Sequence, residues 1–196
     1  MRRVLGFQCI GCGEEHALEA SKYTCPDCGG NLQVVYDYKE VKRRLNRARL
    51  AADRDRSLWR WLELLPVSHR RWAAGPPPGG TPLHPAPLAA AELGLAEVWV
   101  KDEGRNPSAS LKDRASAVVV ARARERGELV IAGASTGNAA ASLACAMATL
   151  APKPVIFVPE SAPRAKLAQL LVYGAKVVAV RGTYDQAFDL CVEACR

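Results

Sequence analysis

Pro154-Val155-Ile156-Phe157-Val158, a helical pattern over 163–173, Gly174 and then Lys176-Val177-Val178-Ala179-Val180 form a strand–helix–strand unit. Both runs read as candidate strands. Gly174 stands where a helix commonly ends in the left-handed conformation. Upstream, Glu97-Val98-Trp99-Val100-Lys101 and Leu129-Val130-Ile131-Ala132 read as earlier strands, with helices near 111–126 and 137–150. A fourth helix begins after Gly182. This repeated β-α order predicts an α/β fold, a parallel sheet with helices on both faces and right-handed crossovers. The pattern stops at Cys195-Arg196 without a C-cap or polar tail, so the chain is expected to be a partial one.

Outside this region the texture differs. Cys9-Ile10-Gly11-Cys12-Gly13 and Cys25-Pro26-Asp27-Cys28-Gly29 form two C-x2-C knuckles twelve residues apart. Two intervening residues let both thiolates of a knuckle face one ion while turn N–H groups donate to sulfur. Gly13 and Gly29 permit the positive φ that such a turn uses. Cys9, Cys12, Cys25 and Cys28 are therefore expected to bind a structural zinc ion in a zinc ribbon, with an iron site as the alternative. With all four positions filled by thiolate, no ligand position is left for catalysis. His16 is expected at the surface rather than on the metal. Seven cysteines are an odd number and no closed disulfide set, and Cys145, Cys191 and Cys195 sit on apolar helical patterns as small buried residues.

The formal charge of +7 is concentrated. Residues 39–71 hold eleven Lys or Arg against four Asp or Glu, and the remainder carries sixteen of each sign. A ribbon followed by basic residues is one nucleic-acid arrangement, but Trp59, Trp61 and Trp72 all lie at the segment's C-terminal end. A solvated charged helix or linker is the preferred reading, and no nucleic-acid partner is expected. Ser57 as N-cap, then Leu58, Trp61, Leu62 and Leu65, predict an amphipathic helix. Gly75-Pro76-Pro77-Pro78-Gly79-Gly80 predicts a loop. At 49% hydrophobic and 24% charged, the composition is that of a folded globular chain. No apolar run reaches the roughly 18 residues of a membrane span. The basic start leads straight to the first cysteine knuckle, without a signal-peptide core, so no membrane partner and a cytoplasmic location are expected.

Two motifs lie at predicted strand ends, where open α/β sheets bind ligands. Asn106-Pro107-Ser108-Ala109-Ser110-Leu111-Lys112-Asp113-Arg114 opens a helix with a lysine in its first turn. An ammonium is disfavoured there by the positive helix end, whereas a neutral amine or an imine is not. The alternative is an exposed lysine paired with Asp113 or Glu125. Gly133-Ala134-Ser135-Thr136-Gly137-Asn138 brings small residues and free N–H groups to the next helix start, suited to a carboxylate or phosphate. It is neither a Walker A loop nor a G-x-G-x-x-G turn.

Taken together, these residues resemble the fold-type II pyridoxal-phosphate enzymes, and among them the threonine synthases. The lysine motif ending in Lys112-Asp113-Arg114, the Ser135-Thr136-Gly137-Asn138 loop, Gly80-Thr81-Pro82-Leu83, Lys166 and Gly174-Ala175 carry the resemblance in order. The knuckles and Leu64-Leu65-Pro66 narrow it. The resemblance implies that Lys112 is the catalytic residue and binds pyridoxal 5'-phosphate as a Schiff base. It implies that Asn138 hydrogen-bonds the cofactor's 3′-oxygen and that Ser135, Thr136 and Gly137 hold the substrate carboxylate, with Thr81 beside the substrate. The implied reaction converts O-phosphohomoserine and water to threonine and phosphate. Cysteate synthase and threonine dehydratase chemistry are the alternatives, and a non-catalytic zinc-ribbon module is a third. Ala109 stands where the family commonly has Gly, and Leu111 where Phe is common. The implied division is 1–36 zinc ribbon, 37–95 basic helical and Pro/Gly-rich connecting segment, and 96–196 small α/β domain. The family's glycine-rich phosphate loop and its pyridine-nitrogen partner are not found after residue 180, so the chain alone is expected to be inactive. Such enzymes commonly form homodimers, and the apolar helix around Trp59 to Leu65 is a candidate for that contact or for packing on the core.

Overall fold

A computed structural model describes residues 3–18, 24–128 and 130–195. The chain forms two compact units, one of residues up to Asp55 with Trp59–Arg70, the other of Arg56–Leu58 with Arg71 onward. In the first unit, β1 (Val4–Cys9) lies between β2 (Glu15–His16) and β3 (Leu32–Tyr36), antiparallel to both. α1 (Tyr38–Arg44) and α2 (Arg47–Ala52) follow. Asp37 caps the first by accepting from the N–H groups of Lys39 and Glu40, and Asn46 caps the second.

The amphipathic helix expected after Ser57 is instead a 3₁₀ helix, Leu58–Leu64, kinked at Trp61. Two competing bonds account for the change. Ser57 is drawn into a bridge with Gly79, and the Leu58 N–H donates to Pro78 O at 2.7 Å. At the other end the Leu62 carbonyl accepts from Leu65 N–H at 3.0 Å and from Arg3 Nη2 at 2.8 Å. Within the unit, Arg3 is buried and also donates to the Val67 carbonyl, with Glu63 3.5 Å from its Nε. The tighter period buries Trp59 and leaves Trp61 exposed, reversing the α-helical expectation.

In the second unit a parallel sheet runs β6 (Ala132–Ala134), β7 (Val155–Pro159) and β8 (Lys176–Val180). β6 lies further along the chain than Leu129–Ala132, and Leu129 falls outside the described residues. The run expected to open the parallel sheet does not join it. β5 (Trp99–Lys101) pairs antiparallel with β4 (Leu83–Pro85), with Leu83 opposite Lys101 and Pro85 opposite Trp99. Pro85 lacks an N–H to donate, which suits a ribbon edge. Between them lies α3 (Pro87–Leu93).

The core is built where small residues let helices approach. α4 (Lys112–Arg126) turns Ala117, Val120 and Ala121 inward against α5 (Asn138–Met147), whose Ala140–Met147 are all buried. Ile156 and Val158 of β7 and Leu170 of α6 (Arg164–Val172) complete the cluster. Burying each of the first two fully contributes roughly 1.5–3 kcal/mol. α7 (Tyr184–Ala194) packs on β6 and β7 through Ala187 and Cys191, apart from that cluster. Gly174 has φ 83° beyond the end of α6, as the sequence pattern anticipates. Among the described residues no helix is long and apolar enough to cross a membrane.

Candidate active site and cysteine cluster

Lys112 is the first residue of α4, and its side chain is exposed. Neither partner considered for it is available. Asp113 is buried and accepts from Ser108 N–H at 2.7 Å and Ser108 Oγ at 2.6 Å. Glu125 pairs with Arg122 at 2.8 Å. The Asp113 bonds fold residues 108–113 into a tight loop in which Ala109 takes φ 59°. That conformation disfavours any residue with a Cβ. Ser110 Oγ accepts from the Lys112 N–H at 3.2 Å, so the lysine leaves the helix start with its backbone fixed and its amine outward.

Thr81 is buried and attached to the same first turn. Its hydroxyl donates to Glu103 Oε1 at 2.8 Å and accepts from Arg114 Nη2 at 3.2 Å. Arg114 grips Glu103 with two bonds of 2.7 Å. Asn106 Nδ2 adds a third donor at 2.8 Å, while Asn106 Oδ1 accepts from Gly79 N–H at 2.9 Å. The Arg114 guanidinium holds the Glu103 carboxyl down at about 2, against some burial and with help from Thr81 and Asn106. Glu103 has no local pattern that marks it, and Asn106, though it opens the quoted motif, gives no local sign of these bonds. They matter only because the chain returns Thr81 to the head of α4. Arg114 stood in the quoted motif, but its partner was not visible.

Ser135, Thr136 and Gly137 leave the end of β6, and Asn138 begins α5. Gly137 caps the helix without a side chain, so the first N–H groups of α5 remain open to a ligand. Ser135 Oγ accepts from Gly137 N–H at 3.1 Å and shapes the turn. The Ala134 carbonyl just before it is held by Tyr184 Oη at 3.1 Å. The structure thus joins Ser135–Asn138 in one turn and ties Thr81 through Arg114 to the turn bearing Lys112. α4 and α5 pack against each other.

In the other unit, the four knuckle sulfurs lie within 4.8 Å of one another. Cys9 and Cys28 Sγ are 3.4 Å apart, Cys12 and Cys25 Sγ 3.7 Å. Tetrahedral thiolates at a metal–sulfur distance of about 2.3 Å stand about 3.8 Å apart, so the donor set fits such an ion. The two knuckles repeat their bonds: Gly13 N–H to Cys9 O at 3.0 Å, and Gly29 N–H to Cys25 O at 2.9 Å. Both glycines have positive φ, 81° and 73°. Gly11 and Gly30 N–H donate to Cys9 and Cys28 Sγ at 3.3 and 3.4 Å. The Cys12 backbone N–H draws the Cys9 thiol down to about 6 against burial, and the Gly11 N–H adds to it. His16 is not the surface residue expected. Its side chain is 12% exposed, with Nε2 3.4 Å from Cys25 Sγ and 3.9 Å from the Asp27 carboxylate. Pairing of Phe7 with His16 across β1 and β2 brings it there.

Comparison with known proteins places the chain. It is 42% identical over 184 residues to the threonine synthase of Methanocaldococcus jannaschii, covering 93% of this chain and 45% of that protein. It is 38% identical to the threonine synthase of Methanosarcina acetivorans, covering 96% and 46%. The chain therefore spans about half the length of these curated relatives. Among solved structures, processed threonine deaminase isoform 2 of Solanum lycopersicum is 27% identical with a TM-score of 0.53, covering 58% of this chain and 31% of that one. Diaminopropionate ammonia lyase from Escherichia coli, at 23% identity and a TM-score of 0.54 over 64% and 36% of the two chains, shares the fold. A family model described as pyridoxal-phosphate dependent enzyme matches residues 75–196, the stretch that carries Thr81, Lys112 and Asn138, and the chain belongs to that family.

Proposed function

We propose that these residues serve a threonine synthase, which converts O-phosphohomoserine and water to threonine and phosphate. The observation that carries this reading is Lys112, outward and unpaired among the described residues at the head of α4, within a chain 42% identical to a threonine synthase. Lys112 Nζ is the atom to hold pyridoxal phosphate covalently. When bound, that group draws electrons from the substrate's α-carbon and so acidifies it. Asn138, at the first position of α5, orients the ring through its amide. The open N–H groups of α5 and the Ser135 and Thr136 hydroxyls receive the substrate carboxylate, because unpaired donors at a positive helix end favour an anion, and the Gly137 N–H joins them on exchanging Ser135 Oγ for the carboxylate. Thr81 stands beside the substrate, its hydroxyl oriented by Glu103. The Lys112 amine, once released, moves the proton taken from the α-carbon. The four cysteines hold a zinc ion whose role is to fix the fold of residues 1–36, with 37–95 connecting that ribbon to the α/β portion over 96–196.

The threonine deaminase likeness supports a second reading, in which the same lysine removes ammonia from threonine. Borohydride reduction with added pyridoxal phosphate, followed by peptide mapping, tests the lysine. A pyridoxyl adduct confined to Lys112 is expected; adducts scattered over surface lysines overturn the assignment. Phosphate release from O-phosphohomoserine by the whole protein, without deamination of threonine, separates the two reactions.

A further inference from the structure

The basic surplus of residues 39–71 is not simply laid out on a solvated helix. Arg44, Arg49 and Arg60 line a cavity of about 380 Å³ within the first unit. Its size is at the lower end of small-ligand sites, roughly 300–1,000 Å³. Leu45, Leu50 and Leu62 supply an aliphatic part of the wall. Of the two carboxylates that share the lining, Glu63 is opposed by a cation and Asp53 by a backbone N–H. Glu63 faces Arg3 at 3.5 Å, and Asp53 Oδ1 accepts from Asp55 N–H at 2.9 Å. Arg44 is held by Glu40 at 2.7 Å.

Arg49 and Arg60 are different. Each is anchored by one bond to a backbone carbonyl, Arg49 Nη1 to Arg44 O at 2.5 Å and Arg60 Nη2 to Leu50 O at 2.6 Å. A guanidinium carries five N–H donors, so each anchor fixes the plane and leaves most donors unspent. Arg60 is further braced over the Trp61 ring at 5.3 Å. Its Nε is sealed from solvent and has no acceptor. Two positioned guanidinium groups without carboxylate partners, each with donors left over, suit an anion with several acceptor oxygens.

We propose that this cavity binds a small organic phosphate. The dianionic phosphate takes N–H bonds from both Arg49 and Arg60, whose charges it matches, and the leucines receive the organic part. The site shares no residue with Lys112 or the Ser135–Asn138 turn, and it stands whether or not the reaction proposed above is correct.

Isothermal titration of the full chain with phenyl phosphate, inorganic phosphate and phenol provides the test. Phenyl phosphate is expected to bind more tightly than inorganic phosphate, and phenol not at all. Arg49→Gln and Arg60→Lys are each expected to weaken phenyl phosphate by about fivefold or more. Arg49 is exposed, so its substitution leaves the fold intact even if Arg60→Lys does not. Absence of phenyl phosphate binding up to about 10 mM overturns the proposal. So does equal binding of phenol, or phenyl phosphate affinity unchanged by Arg49→Gln.

Discussion

Replacing Glu103 by Gln removes the charge on which Thr81, Asn106 and Arg114 converge. A carboxyl held at about 2, against an ordinary 4.5, corresponds to at most about 3 kcal/mol of native-state stabilisation. The Glu103 and Arg114 side chains are 22% and 32% exposed, so solvent screening reduces the expected loss to about 1–2 kcal/mol. The sign with pH follows from the direction of the shift. Glu103 ionises more readily in the folded chain than in the unfolded one. Its contribution is therefore complete above 4.5 and is lost as pH falls from there through about 2. Urea unfolding followed by tryptophan fluorescence should show a gap between wild type and Glu103→Gln that is constant from neutral pH to about 5 and roughly halved by pH 3. Other carboxyls titrate in both proteins and cancel in the difference. A gap of the same size at pH 7 and pH 2.5, or none at pH 7, refutes the reasoning.

Ala109→Gly should stabilise the chain by roughly 0.5–1 kcal/mol, because relief of the left-handed strain exceeds the entropy that glycine adds to the unfolded state; thermal melting should move up by a few degrees. Asp113→Ala strands the Ser108 N–H and hydroxyl in a buried loop and should cost about 2–3 kcal/mol by urea unfolding. Purified protein should carry one zinc per chain by elemental analysis, and Cys12→Ser should lose it; a full zinc complement in that variant rules out the four-thiolate site.

The sequence was legible where a physical requirement is local. Four cysteines at knuckle spacing with glycines behind them, and Val155–Pro159 with Lys176–Val180 around a helix, state their structure in a few adjacent residues. Lys112 and Asn138 at helix starts follow from the same kind of signal. What escaped depends on partners far along the chain. Trp99–Lys101 has the composition of a strand, but nothing within it tells an antiparallel partner at Leu83–Pro85 from a place in the parallel sheet. The 58–65 periodicity fits an α-helix until Gly79 and Arg3 take its ends. Glu103 is an ordinary acidic residue until Thr81 and Arg114 close on it from positions 22 behind and 11 ahead. His16 meets Cys25 through strand pairing, with no help from a local motif.

Arg3 gives the first unit an order of assembly. The cysteine sheet is complete once Tyr36 has been synthesised, because β1, β2 and β3 then have all their partners. The Arg3 guanidinium, however, finds its acceptors at the Leu62, Leu65 and Val67 carbonyls, beside Glu63. On a ribosome working at about 5–20 residues per second, the ribbon can close while this arginine is still hydrated, and desolvation waits seconds longer for residue 67 to emerge. A nascent chain paused between those two points holds a formed metal-binding sheet with its third residue still in water.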